Sequence, residues 1–289
     1  MKICIVGFDS LEYYLIEKYD LKYLKQKEYG KVEINTGILS TPTIWTSFIT
    51  GLPPEEHGII GWKWKNTILD RLKRWIIKIR LSRFFEKNTF LIQFVRKNIK
   101  GSVPNIRGSI PTIFDYANNP IDIDVPCYSY DAYKEIRHDV GNVIGNPISE
   151  KRIAEKAWKL YRDKKKRILN NLKNNWDLFM VHIYLPDVIQ HLLWYQQNEI
   201  ENLYKEMDCL AKSIKDSIMK NTLVIFISDH GQKKGMHTPN AFYSSNEILN
   251  LNEPKITEFA DIVRQKLGAP SKDDIENIKE RLKRLGYFG

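Results

Sequence analysis

The feature that most constrains the fold of this chain is a continuous apolar run from Thr222 to Ser228, followed at once by Asp229 and His230. A run of this length without polar alternation is typical of a strand that is buried on both faces. Central strands of parallel sheets are buried in this way, because helices cover both faces of such a sheet. The run therefore predicts an α/β fold with a mostly parallel sheet.

Strands and helices alternate along the rest of the chain, which is typical of a doubly wound sheet. Further strands are predicted at 2–8, 32–35 and 176–184, and helices at 11–19, 41–49, 149–174, 187–195, 199–220 and 256–267. We therefore predict an α/β fold, a doubly wound, mostly parallel sheet with helices on both faces, within one catalytic domain over residues 1–289. No run of eighteen apolar residues predicts a membrane-spanning helix.

Acidic residues and histidines follow three of the predicted strands. Asp9 comes directly after the first strand, Asp187 follows the strand at 176–184, and Asp229 and His230 follow the apolar run. In doubly wound sheets, ligands bind outside the carboxyl ends of the strands. We therefore expect these side chains to meet at one edge of the sheet.

Two more histidines extend this set. His191 lies four residues after Asp187, so both side chains project from one face of the predicted helix. His237 follows in a glycine-rich loop over 231–237. Three carboxylates and three imidazoles at one sheet edge would repel or titrate badly without cations. Mixed Asp and His ligands suit zinc or another divalent transition metal, and six of them suffice for two ions.

Thr41 supplies a candidate nucleophile. Thr is a favourable N-cap and Pro42 suits the first helical position, so a helix is predicted to begin here and to end at Gly51. A hydroxyl is a weak nucleophile that metal coordination can activate. A helix N-terminus also favours an anionic phosphate nearby.

The chain resembles the type I phosphodiesterase and nucleotide pyrophosphatase branch of the alkaline-phosphatase superfamily. The resemblance is carried by Gly7-Phe8-Asp9, by the segments 41–51 and 54–59, by 184–191, and by 228–231 with His237. These motifs occur in the same order over nearly the whole chain, apart from about 62–175. Each motif is weak by itself, but their joint occurrence in order is a strong signal.

The resemblance implies two divalent metal ions, for which zinc is expected and manganese or iron stay open. It assigns Asp187, His191 and His237 to one ion, and Asp9, Asp229 and His230 to the other. It further implies that Thr41 contacts the second ion and forms a phosphothreonine intermediate, which water activated on the first ion then hydrolyses. The expected activity is hydrolysis of a phosphoric ester, and most specifically of a diester.

Several alternatives stay open at this point. Nucleotide-hydrolysing members carry an Asn shortly after the segment 54–59, where this chain has Trp62, which leaves nucleotide pyrophosphatase activity and the oxyanion partner undecided. A phosphomonoesterase would need an added cation, for which Arg107, Lys63 and Lys65 are candidates. A non-catalytic protein that binds phospholipid or nucleic acid is a third hypothesis, and a phosphomutase is a fourth without specific support. The sulfatase pattern Cys/Ser-x-Pro-x-Arg is not found at Thr41.

The net charge of +10 is concentrated in one segment. Residues 62–100 contain twelve Lys or Arg but only two acids, Asp70 and Glu86. We interpret 62–150 as an inserted cap, with the basic part as a lid that attracts an anionic substrate. Contact of 62–100 with an anionic membrane surface ranks second and nucleic-acid binding ranks third.

The remaining features predict little chemistry. The strand at 2–8 is too short for a signal peptide, so the expected location is the cytoplasm, with peripheral membrane contact allowed by 62–100. The three cysteines have no metal or disulfide spacing, and no protein partner is indicated. We interpret His57 as part of a turn that positions the nucleophile helix, Trp45 as packing beneath that helix, and His182 as a core histidine with satisfied hydrogen bonds.

Overall fold

The structure is a computed structural model that describes residues 1–61, 63–64, 104–129 and 134–269, together with Arg281 and Arg284. Trp62 and nearly all of the basic segment 62–100 lie outside the described residues. Of the predicted cap over 62–150, only 63–64, 104–129 and 134–150 are described. The assignment of 62–150 as a lid therefore stays a prediction.

A central sheet of six strands forms the core of the fold. Its strands are β1 (Lys2–Phe8), β2 (Glu28–Val32), β5 (Pro120–Ile123), β6 (Leu178–Ile183), β7 (Thr222–Ser228) and β10 (Ala241–Ser245). The order across the sheet is β2-β10-β7-β1-β6-β5. β1 runs parallel to both of its neighbours, β6 and β7, and β5 runs parallel to β6. β10 runs antiparallel to both of its neighbours, β2 and β7, and it is the one strand of the described sheet that runs in the opposite direction, so this sheet is mostly parallel, as predicted.

Helices connect the strands, and two small hairpins form separate two-stranded sheets. The helices are α1 (Tyr13–Lys18), α2 (Thr41–Thr50), α3 (Pro54–His57), a 3-10 turn (Ile113–Tyr116), α4 (Lys134–Val143), α5 (Pro147–Asn171), α6 (Leu185–Leu193), α7 (Gln197–Ser217) and α8 (Glu258–Lys266). The hairpins pair β3 (Ile59–Ile60) with β4 (Lys63–Trp64), and β8 (Gly231–Lys233) with β9 (Met236–Thr238). Within the described residues, no helix is both long and apolar enough to cross a membrane.

Two hydrophobic cores lie on opposite faces of the sheet, because successive side chains of a strand point to opposite sides. Val6 and Phe8 of β1 pack into the core that includes apolar residues of α5, α6 and α7. Ile3 and Ile5 of the same strand pack into the core that includes apolar residues of α2 and α8. The prediction of a doubly wound sheet with helices on both faces is therefore confirmed.

Several predicted boundaries are wrong. The second strand lies at 28–32 rather than 32–35, because it forms an edge strand paired with β10. The N-cap of α2 is Ser40, and Thr41 is its first helical residue. Asn146, not Ser149, caps α5, since its side chain accepts the Ser149 N–H. Strands β5 and β10, the hairpin β8–β9 and helix α4 were not predicted.

Candidate metal-dependent active site

The order of the strands brings the predicted ligands together. β1 lies between β6 and β7, so the carboxyl ends of these three strands are neighbours. Asp9 follows β1, Asp229 and His230 follow β7, and Asp187 lies in the first turn of the helix that follows β6. All four side chains are buried. Buried carboxylates are costly unless each is paired with a cation or a strong donor.

Three ligand atoms form a compact triangle at the surface of this cluster. Asp187 Oδ1 lies 3.1 Å from His191 Nε2 and 3.2 Å from His237 Nε2, and the two imidazole nitrogens are 3.0 Å apart. Four ligands at 2.0–2.1 Å from a zinc ion are separated by about 3.3 Å in a tetrahedron. The triangle therefore has the size of one face of a zinc site, with His237 presented by the hairpin β8–β9.

A second group lies deeper. His230 Nε2 is 3.4 Å from Asp9 Oδ1 and 3.4 Å from Asp229 Oδ2. Asp187 is also near enough to Asp9 and His230 for these three to hold one ion. Asp229 Oδ2 and His230 Nε2 are both buried without a hydrogen-bond partner among the described residues. Such orphaned atoms are costly in an empty site, and a divalent cation would satisfy both, so the residues present fit a second metal ion.

The pKa shifts of the three carboxylates also support metal binding at this site. Burial first, and then the charges of Asp229 and Asp187, raise the pKa of Asp9 well above its usual range. Burial also raises the pKa of Asp229. Burial alone would raise the pKa of Asp187 as well, but hydrogen bonds from His191 and His237 hold it well below its usual value. Three ionised carboxylates in this space require additional positive charge.

Thr41 lies at the edge of the deeper group. As the first residue of α2 it directs its hydroxyl toward Asp9, and its Oγ1 donates to Asp9 Oδ1 over 3.3 Å. At the far end of α2, Gly51 adopts the left-handed conformation with φ 69° and ends the helix. The sequence analysis predicted both the start of this helix near Thr41 and its glycine end.

Ser10 is a site residue that the sequence analysis missed. Its Oγ donates to Asp187 Oδ1 at 2.8 Å and lies 3.0 Å from His230 Nδ1. Its backbone N–H donates to Asp229 Oδ1 at 3.1 Å. Ser10 thus links the two ligand groups and has φ 67°, a left-handed conformation that is uncommon for serine. The only signal in the sequence was its position directly after Asp9.

Two histidines outside the predicted ligand set have different outcomes. His57 was predicted in a turn, but it is the last residue of the short helix α3, where its Nδ1 accepts the Ile59 N–H and its Nε2 lies 3.0 Å from Ser47 Oγ of α2. His182 is not the satisfied core histidine that was predicted. Neither of its ring nitrogens has a hydrogen-bond partner within the described part of the chain.

Comparison with known protein families shows to which family this chain belongs. Residues 3–284 match the family described as type I phosphodiesterase / nucleotide pyrophosphatase. The chain belongs to this family. The matched range includes every candidate ligand and Thr41, as the resemblance of the ordered motifs predicted. No curated protein matches the sequence.

Several solved structures are similar in fold to this member of the type I phosphodiesterase family. A 2-O GAG sulfatase is similar with a TM-score of 0.56 at 6% identity, over 93% of this chain and 71% of that one. A protein of glycosaminoglycan metabolism from Bacteroides thetaiotaomicron has a TM-score of 0.50 at 11% identity, over 92% and 72%. Murine ectonucleotide pyrophosphatase / phosphodiesterase 5 is 14% identical over 80% of this chain, with a TM-score of 0.49, and the match spans 57% of its length. At these identities the two structures with TM-scores of 0.56 and 0.50 support the shared α/β fold alone.

Proposed function

We propose that this member of the type I phosphodiesterase family is a two-metal phosphoric-ester hydrolase that acts on diesters, with Thr41 as the nucleophile. The observation that supports this most directly is the 3.3 Å contact of Thr41 Oγ1 with Asp9 Oδ1. It places a hydroxyl at a helix N-terminus beside two groups of Asp and His side chains that fit divalent cations. A hydroxyl in this position is both activated and aligned with an anionic substrate.

The ligand assignment of the proposal follows the two groups. Asp187, His191 and His237 would hold one ion, while Asp9, Asp229 and His230 would hold the other, with Thr41 beside the second. We favour zinc because half of these ligands are imidazoles; manganese and iron are the alternatives. When bound, the two ions supply charge neutralisation for the phosphoryl oxygens and a lowered pKa for water and for the Thr41 hydroxyl.

The chain's own residues then perform two displacements at phosphorus. In the first, Thr41 Oγ forms a bond to phosphorus, the bond from phosphorus to the leaving oxygen breaks, and Asp9 Oδ1 is placed to accept the hydroxyl proton. The leaving oxygen takes up the proton that Thr41 lost, so the products are an alcohol and a threonine-linked phosphoryl ester at residue 41. In the second displacement, the oxygen of water forms a bond to phosphorus, the bond to Thr41 Oγ breaks, one proton of the water returns to Thr41 Oγ, and a phosphate monoester is released. The N-terminal amides of α2 stabilise the anionic phosphoryl group in both steps.

The choice of a diester as the substrate rests on membership of the type I phosphodiesterase family. A monoester carries one more negative charge, so its selective binding needs an additional cation at the phosphate. Arg107 was a candidate for this role, but its guanidinium pairs with Asp122 at 3.3 Å and lies over the Tyr128 ring. The side chains of Lys63 and Lys65, the other candidates, lie outside the described residues.

The proposal is tested by turnover of bis-p-nitrophenyl phosphate and p-nitrophenyl phosphate with added zinc or manganese. The variant Thr41→Val removes the hydroxyl and keeps the shape of the side chain. We expect it to lose diester turnover by about a thousandfold or more, because no other hydroxyl replaces the nucleophile. Zinc binding, measured by competition with a chromophoric chelator, should remain.

Thr41→Ser is the matched control, since it keeps the hydroxyl, and it should retain much of the wild-type turnover. Activity of Thr41→Val near that of the wild type would show that Thr41 is not the nucleophile. Preference of the wild-type protein for the monoester would replace the diesterase proposal with a phosphatase. Absence of turnover on both esters, with zinc bound, would favour the non-catalytic binding protein.

A further inference from the structure

His182 occupies an unusual position for a histidine of a central strand. It lies in β6 opposite Gly7 of β1 and is only 2% exposed. Its Nε2 is 3.4 Å from Asp9 Oδ2, while both ring nitrogens lack a hydrogen-bond partner among the residues that the structure describes. A buried imidazole without partners is unfavourable, so a residue with no further role at this place would more favourably be apolar.

The surroundings of His182 hold its ring in place. The indole of Trp45 packs edge-on against the imidazole, with ring centroids 5.2 Å apart. Trp45 reaches this position because residue 7 is glycine: a Cβ at Gly7 would overlap the indole ring. Gly7, Trp45 and His182 therefore form one packed unit between β1, β6 and the helix that begins at Thr41. Trp45 thus covers one side of the His182 ring, while Asp9 lies beside its Nε2.

The two oxygens of Asp9 face different groups. Oδ1 lies toward Thr41 Oγ1 and His230 Nε2, on the side of the proposed metal ion and nucleophile. Oδ2 lies toward His182. An imidazole can carry an N–H at Nε2 in its neutral as well as in its protonated form, so His182 has a donor available on this side.

We infer that His182 is a positioning residue for Asp9: its Nε2–H donates to Asp9 Oδ2 and thereby directs Asp9 Oδ1 at the metal ion and Thr41. This inference rests on the proposed function, because it concerns a carboxylate assigned there as a metal ligand. The present separation of 3.4 Å is longer than a good N–H···O bond, so the bond forms only when the two side chains move closer together. Some side chains hydrogen-bond a metal ligand without contacting the metal ion. Removing such a side chain commonly lowers the metal affinity by about 10- to 100-fold.

The test is zinc affinity of variants at residue 182, measured by competition with a chromophoric chelator on the full chain. His182→Phe keeps the aromatic packing against Trp45 and removes the donor. We expect one of the two zinc sites to weaken about 10- to 100-fold, while the metal-free variant unfolds at the same or a higher temperature than the wild type. His182→Gln places an amide N–H near the former Nε2 and should recover part of the affinity.

His57→Phe is the matched control. It removes another buried histidine that supports α2, but one that bonds Ser47 and the Ile59 N–H instead of Asp9. It should lower the unfolding temperature and leave both zinc affinities unchanged.

Wild-type zinc affinity at both sites in His182→Phe would overturn the inference. Equal weakening in His182→Phe and His182→Gln would also overturn it, because packing rather than the N–H would then matter. The readout separates this inference from the proposed function. A protein that binds two zinc ions but turns over no ester still tests His182, and a fully active protein with an unaffected His182→Phe variant refutes only the role of His182.

Discussion

At the scale of single residues, the carboxylates of the site differ in pKa because they have different hydrogen-bond and charge partners. Asp187 receives hydrogen bonds from Ser10 and from two histidines, and its pKa is held well below the usual value. Asp9 is surrounded by other carboxylates, and burial raises its pKa well above the usual value. The same residue type is thus stabilised as an anion at one position and destabilised as an anion at the other. In the absence of metal, the Asp9 side of the site is the strained side.

His57 gives a pH-dependent prediction that does not involve the metal ligands. Burial lowers its pKa from 6.5 to about 4 in the folded protein. Between these two values the unfolded chain binds a proton that the folded chain does not, so stability is full above pH 6.5 and falls as the pH decreases toward 4. We expect His57 to contribute a loss of at most about 3 kcal/mol over this interval. Urea unfolding of chelator-treated protein between pH 4 and 7.5 measures it.

The variant His57→Asn isolates this contribution. An asparagine keeps an acceptor for the Ile59 N–H, which His57 Nδ1 now accepts at 3.0 Å, and it does not titrate. The decrease in stability below pH 6.5 should be smaller in the variant than in the wild type. The same decrease in both proteins would show that His57 is not responsible.

At the scale of elements, helix α2 is the part whose position matters most, because Thr41 is its first residue. Its C-terminus is fixed by Arg264 of α8, whose Nη2 donates to the Thr50 carbonyl at 2.6 Å. Arg264 is itself held by Asp261 at 2.9 Å. The ring of Trp45 on the same helix packs against His182 in the sheet. Helix α2 is therefore anchored to α8 at one end and to the sheet through Trp45.

Removing the anchor at the C-terminus should destabilise the protein. Arg264→Met keeps most of the aliphatic side chain but leaves the buried Thr50 carbonyl without its charged donor. We expect the free energy of unfolding to fall by about 1–3 kcal/mol. Urea denaturation at neutral pH measures the change, and Arg264→Lys should recover part of it. Unchanged stability of Arg264→Met would mean that the bond to Thr50 does not stabilise the folded state.

The elements that could be predicted from the sequence are those with a single strong signal. β1, β6 and β7 are continuous apolar runs because both of their faces are buried, and α2 has its proline and glycine boundaries. β10 is also fully buried, but it is short and mixed in polarity, Ala-Phe-Tyr-Ser-Ser, since its two serines hydrogen-bond to the backbone of Leu24 and Glu247. The polar composition and Gly141 obscured helix α4. The pairing of β10 with distant strands determines its place in the sheet, and no local sequence pattern indicates that pairing.

The residues of the candidate site also fall into those that could be predicted from the sequence and those that could not. The residues at strand ends were predictable, because the topology of a doubly wound sheet brings such ends together. Ser10 and His182 were not, since their roles depend on side chains that lie far away in sequence. His182 in particular has the sequence environment of a core residue, and only the neighbouring Asp9 and Trp45 distinguish it.

At the scale of the whole molecule, the metal site couples ligand binding to global stability. The clustered carboxylates repel one another without metal, so zinc should bind the folded chain far more tightly than the unfolded chain. We expect zinc to raise the unfolding midpoint, by an amount equivalent to about 2.7 kcal/mol at a concentration 100 times its dissociation constant. Thermal unfolding with zinc and with excess chelator measures the difference.

The variant Asp9→Asn should reduce the stabilisation of the folded protein by zinc. Asparagine removes one buried charge, so the metal-free variant should be more stable than the metal-free wild type, and zinc should stabilise it less. If zinc shifted the midpoint of the variant as much as that of the wild type, Asp9 would not be a ligand.

The central place of β1 in the sheet also governs when the site can form. Ser10, beside Asp9, meets His230 across a separation of 220 residues along the chain. A nascent polypeptide leaving the ribosome therefore exposes β1 and Asp9 long before β7 exists to pair with them. Contacts this distant in sequence close late and slowly. β1 therefore stays unpaired with β7 during most of this time, and the proposed set of metal ligands is complete only once His237 has been made.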